Sequence, residues 1–90
     1  MIEIICKENI EEILTNPSEY VDFDYDKCLI RYYGKDVANP TYILIGQDEN
    51  DKFYLTVEDN DVSEDYYIED GQTLKELYDK LLDEIIKEAI

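Results

Sequence analysis

Near the end of the chain, Leu74, Leu77, Tyr78, Leu81, Leu82, Ile85, Ile86 and Ala89 recur at spacings of three and four residues. That period paints one apolar face on a helix of about four turns, from about residue 73 to 89. Such a stripe has to be buried, so the rest of the chain must supply an apolar surface that fits over it. The helix has a written start: in "TLKE", Thr73 is placed to accept from the amide three residues on, Glu76 is placed to reach back, and Gly71 lets the chain turn in.

The surface that answers this stripe has a different period. "KCLIRYY" (27–33), "TYILIG" (41–46) and "KFYLTVE" (52–58) are rich in β-branched, aromatic and aliphatic residues and are separated by the turn-forming "GKDVANP" and "QDEND". Phe53, Leu55 and Val57 alternate with Tyr54 and Thr56, as in a sheet with one face on a core and one in water. "DYYIE" (65–69) is a candidate fourth strand, and "YVDFDYD" (20–26) is either an edge strand or an extended arm. A shorter helix is expected in "KENIEEILTN", where Ile10, Ile13 and Leu14 share a face and Asn16-Pro17 ends the pattern. "MIEII" reads equally as that helix's first turn or as a short strand. The expected fold is therefore α+β: one domain over residues 1–90, with an antiparallel sheet of three to four strands packed against a C-terminal helix and a short N-terminal helix. A chain of 90 residues has room for one core and no second domain.

Charge narrows the function. The chain carries 24 acids against 8 bases, a formal charge of −16, yet its hydrophobic fraction of 44% with nine tyrosines is too high for a disordered acidic tail. Direct nucleic-acid binding is excluded as a first reading, because a duplex needs lysine and arginine to displace its counterions. Anionic membranes are disfavoured by the same repulsion, and a positively charged protein is the natural partner. High charge also serves solubility alone, which is the plainer account. Cys6 and Cys28 lie in no C-x-x-C or metal-ligand spacing and read as two buried thiols. "MIEIICKENI" lacks a basic leader and no apolar run approaches the ~20 residues that span a bilayer, so a cytosolic protein with reduced thiols is expected.

Chemistry finds little to stand on. A calcium loop starting at Asp59 would offer Asp59, Asp61, Ser63 and Asp70, but Glu64 occupies the position where glycine makes the sharp turn. Starts at Asp22 or Asp48 place Tyr33 or Asp59 at position 12 and Lys27 or Phe53 at position 6. The chain has no histidine and only Ser18 and Ser63 as serines, so the usual nucleophile and base pairs cannot be assembled. Three glycines are too few for a phosphate-cradling loop. The expectation is a non-enzyme with no catalytic residue, no metal and no cofactor.

What remains is the distribution of like charge. If extended, "VDFDYD" puts Asp22, Asp24 and Asp26 on one face about 6.6 Å apart. Asp48, Glu49 and Asp51 fall in a hairpin turn; Glu58, Asp59, Asp61, Glu64 and Asp65 follow the last sure strand; and Lys52 is the one lysine between residues 48 and 70. Aspartate in turns is ordinary by itself, because its side chain bonds the backbone there. Three such clusters together suggest a multi-segment anionic face. The doublets Tyr32-Tyr33 and Tyr66-Tyr67 must place one ring on each side of a strand, so that Tyr66 or Tyr67 becomes an outward anchor able to stack on arginine. These acids and the two tyrosines are the candidate partner-binding residues.

In "NIEEIL", the strands "CLIRYY", "YILI" and "FYLTV" with their acidic connections, and the closing "TLKELYDKLLDEIIKEA", the chain resembles the phage-encoded anti-CRISPR proteins, especially the compact inhibitors of Cas9. The likeness spans nearly the whole chain and is one of composition and element order, so it assigns no residue by position. It implies a DNA mimic whose acidic face occupies a basic DNA-reading cleft, with a Cas effector as partner. Two other classes share the acidity: an immunity protein neutralising a basic nuclease toxin, and a small acidic interaction adaptor without mimicry. Monomer and homodimer are both compatible with the sequence.

Overall fold

The computed structural model describes residues 1–34 and 38–88. The chain runs β1 (Ile2–Ile4), α1 (Ile10–Thr15), a 3-10 turn (Pro17–Glu19), β2 (Lys27–Tyr32), β3 (Thr41–Gln47), β4 (Phe53–Asp59), β5 (Val62–Tyr67) and α2 (Leu74–Glu88). The strands form one antiparallel sheet in the order β1-β2-β3-β4-β5. The α+β class stands, with five strands in place of the three to four expected.

Both additional strands come from segments that sequence period alone left open. "MIEII" resolves as an edge strand, because Ile2 and Ile4 pair with Tyr32 and Ile30 of β2. The last strand starts three residues earlier than "DYYIE": a two-residue turn at Asn60–Asp61 with φ of 45° and 65° folds β5 directly back on β4. Positive φ at both central positions is the type I′ geometry whose twist matches paired strands. The segment 20–26 is neither a strand nor an arm. Tyr25 N–H donates to Asp22 O, Asp24 N–H donates to the Asp22 carboxylate, and the chain turns on itself.

The sheet has one covered face. In register, Ile30, Ile43, Val57 and Ile45, Leu55, Tyr66 line up across neighbouring strands on that face. α2 lays Leu74, Leu77, Tyr78 and Leu81 on it, and α1 adds Ile13 and Leu14 to the same cluster. Leu29 and Ile30 are both fully buried because the register with β3 shifts between Cys28 and Ile30, where an extra residue bulges the strand. That bulge is anchored by Ile5 N–H donating to Leu29 O.

Both helices start as their caps dictate. Asn9 accepts from the amides of Glu11 and Glu12, and Thr73 and Glu76 form the reciprocal box, with Glu76 N–H donating to Thr73 Oγ1 at 3.1 Å and Thr73 N–H to Glu76 Oε1 at 3.0 Å. Gly71 has φ +81°, a conformation open to glycine without strain. Ala89, the last residue of the apolar stripe, lies outside the described residues. Cys6 and Cys28 are free and half-buried, not fully buried; partial burial raises both thiols above their ordinary pKa.

Candidate interaction surface

A pleated strand shows alternate residues to opposite sides, so covering one sheet face leaves Tyr42, Leu44, Gly46, Tyr54, Thr56, Glu58, Ser63, Asp65 and Tyr67 on the other. Tyr54 and Tyr67 are directly opposed in register, with ring centroids 5.5 Å apart and planes inclined by 42°. Three carboxylates surround this pair. Asp26 accepts from Tyr54 Oη at 3.4 Å, Asp48 from Tyr67 Oη at 3.1 Å, and Asp65 from Thr56 Oγ1 at 2.7 Å. Burial, then Asp26 and Asp65, push the Tyr54 hydroxyl pKa up; partial desolvation and Asp48 do the same at Tyr67. Both tyrosines therefore stay neutral donors at physiological pH.

Gly46 explains how the ring of Tyr54 lies so low on the sheet. A Cβ at this position would stand 2.7 Å from Tyr54 Cζ and collide with Asp26 Oδ1. Glycine in β3, covered by an aromatic ring from the strand opposite, makes the room in which the tyrosine and aspartate meet.

Charge is unevenly spread across the face. Among the described strand residues, Arg31 is the one basic side chain there; it is ion-paired to Glu3, lies 5.3 Å from the Tyr33 ring, and has its pKa raised chiefly by Glu3. The β1–β2 half is thus locally neutralised, whereas the β3–β5 half carries Asp26, Asp48, Glu58 and Asp65, with the cation Lys52 in the β3–β4 turn beside Asp48.

The meander sorts the candidate residues by end of the sheet. The 22–26 turn enters β2 at the same end as the β3–β4 turn and the exit from β5, so Asp26 and Asp48 converge on Tyr54 and Tyr67. Asp22 and Asp24 belong to the turn that delivers Asp26, and do not form the one-faced row that an extended segment would give. Glu49 and Asp51 are exposed in the β3–β4 turn, where Asp48 accepts from the amides of Asn50 and Lys52. Glu58, Asp59 and Asp61 gather at the opposite end, roughly 13 Å along β4 from Tyr54 to Glu58 at ~3.3 Å per residue. Asp59, Glu64 and Tyr66 point to the helix side; Tyr66 packs on the core and donates to Glu64 at 2.8 Å. The doublet splits as strand geometry requires, and Tyr67, 47% exposed, is the outward ring.

Tyr54, Thr56, Gly46 and Asp26 as a unit were not foreseen. The alternation in "FYLTV" marks Tyr54 and Thr56 as outward, but the Asp26 contact joins segments 28 residues apart. Among the described residues no group of three or more His, Cys, Asp or Glu has metal-binding geometry, and no helix is long and apolar enough to cross a membrane. Comparison with protein-family models, curated proteins and solved structures finds no match to the chain.

Proposed function

We propose that the protein is a non-enzymatic inhibitor that works by contact: its uncovered sheet face occupies the basic nucleic-acid groove of a bacterial DNA-handling effector, inside the cell where that effector acts. One observation carries the reading. Asp26, Asp48 and Asp65 are held by hydroxyl donors around the Tyr54–Tyr67 pair, on the sheet face opposite α1 and α2. Carboxylates fixed in this way lose little conformational freedom on meeting lysine or arginine, and ion-paired hydrogen bonds to them are strong. Tyr67 supplies a rigid ring on which a guanidinium can stack. The formal charge of −16 would draw such a partner in from a distance and make association fast and salt-sensitive. A Cas9-type effector, whose arginines read a short DNA motif, is the first candidate.

The test titrates the protein into an effector bound to target DNA, at low and at raised salt. Asp26→Asn, Glu58→Gln and Asp65→Asn together remove three charges while keeping side-chain shape and hydrogen-bonding oxygens. The wild type should displace DNA, and the triple variant should need at least roughly tenfold more protein to do so. DNA binding that is indifferent to the wild-type protein rules out that effector, and equal potency of the triple variant moves the interface off this face.

A further inference from the structure

β5 ends the sheet: β4 flanks it on one side and, among the described residues, no strand lies on the other. It pairs with β4 without a bulge, from Val62 opposite Asp59 to Tyr67 opposite Tyr54. Because a two-residue turn closes the hairpin, Asp59 and Val62 form a hydrogen-bonded pair, and alternation then directs the main-chain groups of Glu64 and Tyr66 into the β4 ladder. The N–H and C=O groups of Ser63, Asp65 and Tyr67 therefore face outward. Residues 62–65 are all exposed, and Val62 is 69% exposed. The opposite edge, β1, has only three residues and is tied at its end by Met1 and Tyr33. β5 is twice as long, with neither proline nor bulge to blunt it.

We infer that β5 is a docking edge, and that its occupant is an extended segment of a basic partner, bearing lysine or arginine, which adds as a sixth strand. This rests on the proposed reading that the partner is basic, and adds how that partner is held. Charge selects the occupant. Pairing β5 with β5 of a second copy would bring Glu64 and Asp65 up against their own duplicates, between chains that each carry −16, and like charges opposed across strands are destabilising. A basic strand reverses that sign on both sides of the sheet, since Glu64 projects to the helix side and Asp65 to the open side. Main-chain bonds to Ser63, Asp65 and Tyr67 would hold the strand, while the alternating acids choose its side chains.

The probe is a short synthetic peptide alternating lysine with threonine, prepared unmodified and with every backbone amide N-methylated. Both forms carry the same charge, and only the first can join a ladder. The unmodified peptide should bind at least about tenfold more tightly, and it should slow hydrogen exchange at the Ser63, Asp65 and Tyr67 amides. Ser63→Pro removes one outward donor without touching the β4 ladder and should weaken that binding. Should this variant not fold, exchange on the wild type decides alone. Equal binding of both peptides with those amides still exchanging would overturn the edge while leaving a basic partner standing. Binding of neither peptide would also overturn it. Concentration-dependent protection of the same amides without peptide would make a second copy the occupant and overturn the basic strand. Displacement of DNA from an effector is a separate readout, so failure of the inhibitor reading shows there and not here.

Discussion

Tyr67 donates its hydroxyl hydrogen to Asp48 Oδ2 at 3.1 Å, tying the end of β5 to the turn between β3 and β4. The same carboxylate accepts from the amides of Asn50 at 2.8 Å and Lys52 at 3.0 Å, and its pKa is lowered, with the Lys52 amide the largest cause. A carboxyl whose folded pKa is depressed contributes stability above its unfolded value, and that contribution disappears as pH falls through the folded value. Tyr67→Phe removes one of the donors. In a carbon-detected NMR titration the Asp48 carboxyl should then move up toward its ordinary pKa yet stay below it, because both amides remain. An unchanged Asp48 titration would mean that the hydroxyl does not serve it.

Leu81 sits in the middle of the stripe that α2 lays on the sheet and is 3% exposed. Leu81→Ala should cost about 2–5 kcal/mol, a large share of the ~5–15 kcal/mol that holds a domain together. Leu81→Met, which conserves volume, should cost under about 1.5 kcal/mol. Urea unfolding measures both, and comparable small losses for the two would mean that the helix is not seated on this face.

Asp61 has φ +65° at the second position of the β4–β5 turn. A side chain there costs roughly 1 kcal/mol relative to glycine, and Asn-Gly is the favoured pair for this turn. Asp61→Gly should therefore raise the melting temperature by about 4 °C, helped by the loss of one negative charge. Asp61→Lys at this strained position should gain less than Asp61→Gly despite its larger change in charge. The reverse ranking would show that repulsion, and not backbone geometry, limits this turn.

Burial raises the hydroxyl pKa of Tyr54, Tyr67 and Tyr78 above the ordinary 10.0. For a group raised on folding, stability is fully present below the unfolded pKa and is lost as pH rises through the folded one. Unfolding free energy should thus fall above about pH 10. The absorbance titration of tyrosinate should lag that of the urea-unfolded chain and catch up when the fold collapses. Superimposable titrations would show that these rings are not shielded. Tyr54→Phe should remove part of the alkaline loss without affecting stability at pH 7 by more than about 1 kcal/mol.

Local pattern in the chain was sufficient for some features and silent on others. The i, i+3, i+4 stripe together with the Thr73–Glu76 box placed α2, because helix periodicity and capping are both written within a few residues. Alternation placed β3 and β4 for the same reason, and it assigned Tyr54 and Thr56 to the face away from the core. β1 was ambiguous because three residues cannot declare a period, and only pairing with β2 makes them a strand. β5 was obscured by its acids: "VSED" has weak strand propensity, and the type I′ turn that starts it needs no glycine once the flanking strands hold Asn60 and Asp61 at positive φ.

The chain by itself determined an acidic α+β domain with one amphipathic helix over a meander, since charge, period and caps are properties of neighbouring residues. Tertiary structure alone decided which acids meet. Alternating turns of a meander fall at opposite ends, so Asp26 and Asp48 converge on the Tyr54–Tyr67 pair while Glu58 and Asp61 lie at the far end. The contact of Asp26 with Tyr54 bridges 28 residues and depends on Gly46 leaving no Cβ between them. No local pattern encodes such a distance; it is set by strand register, which the burial of Ile43, Ile45 and Leu55 on the covered face fixes.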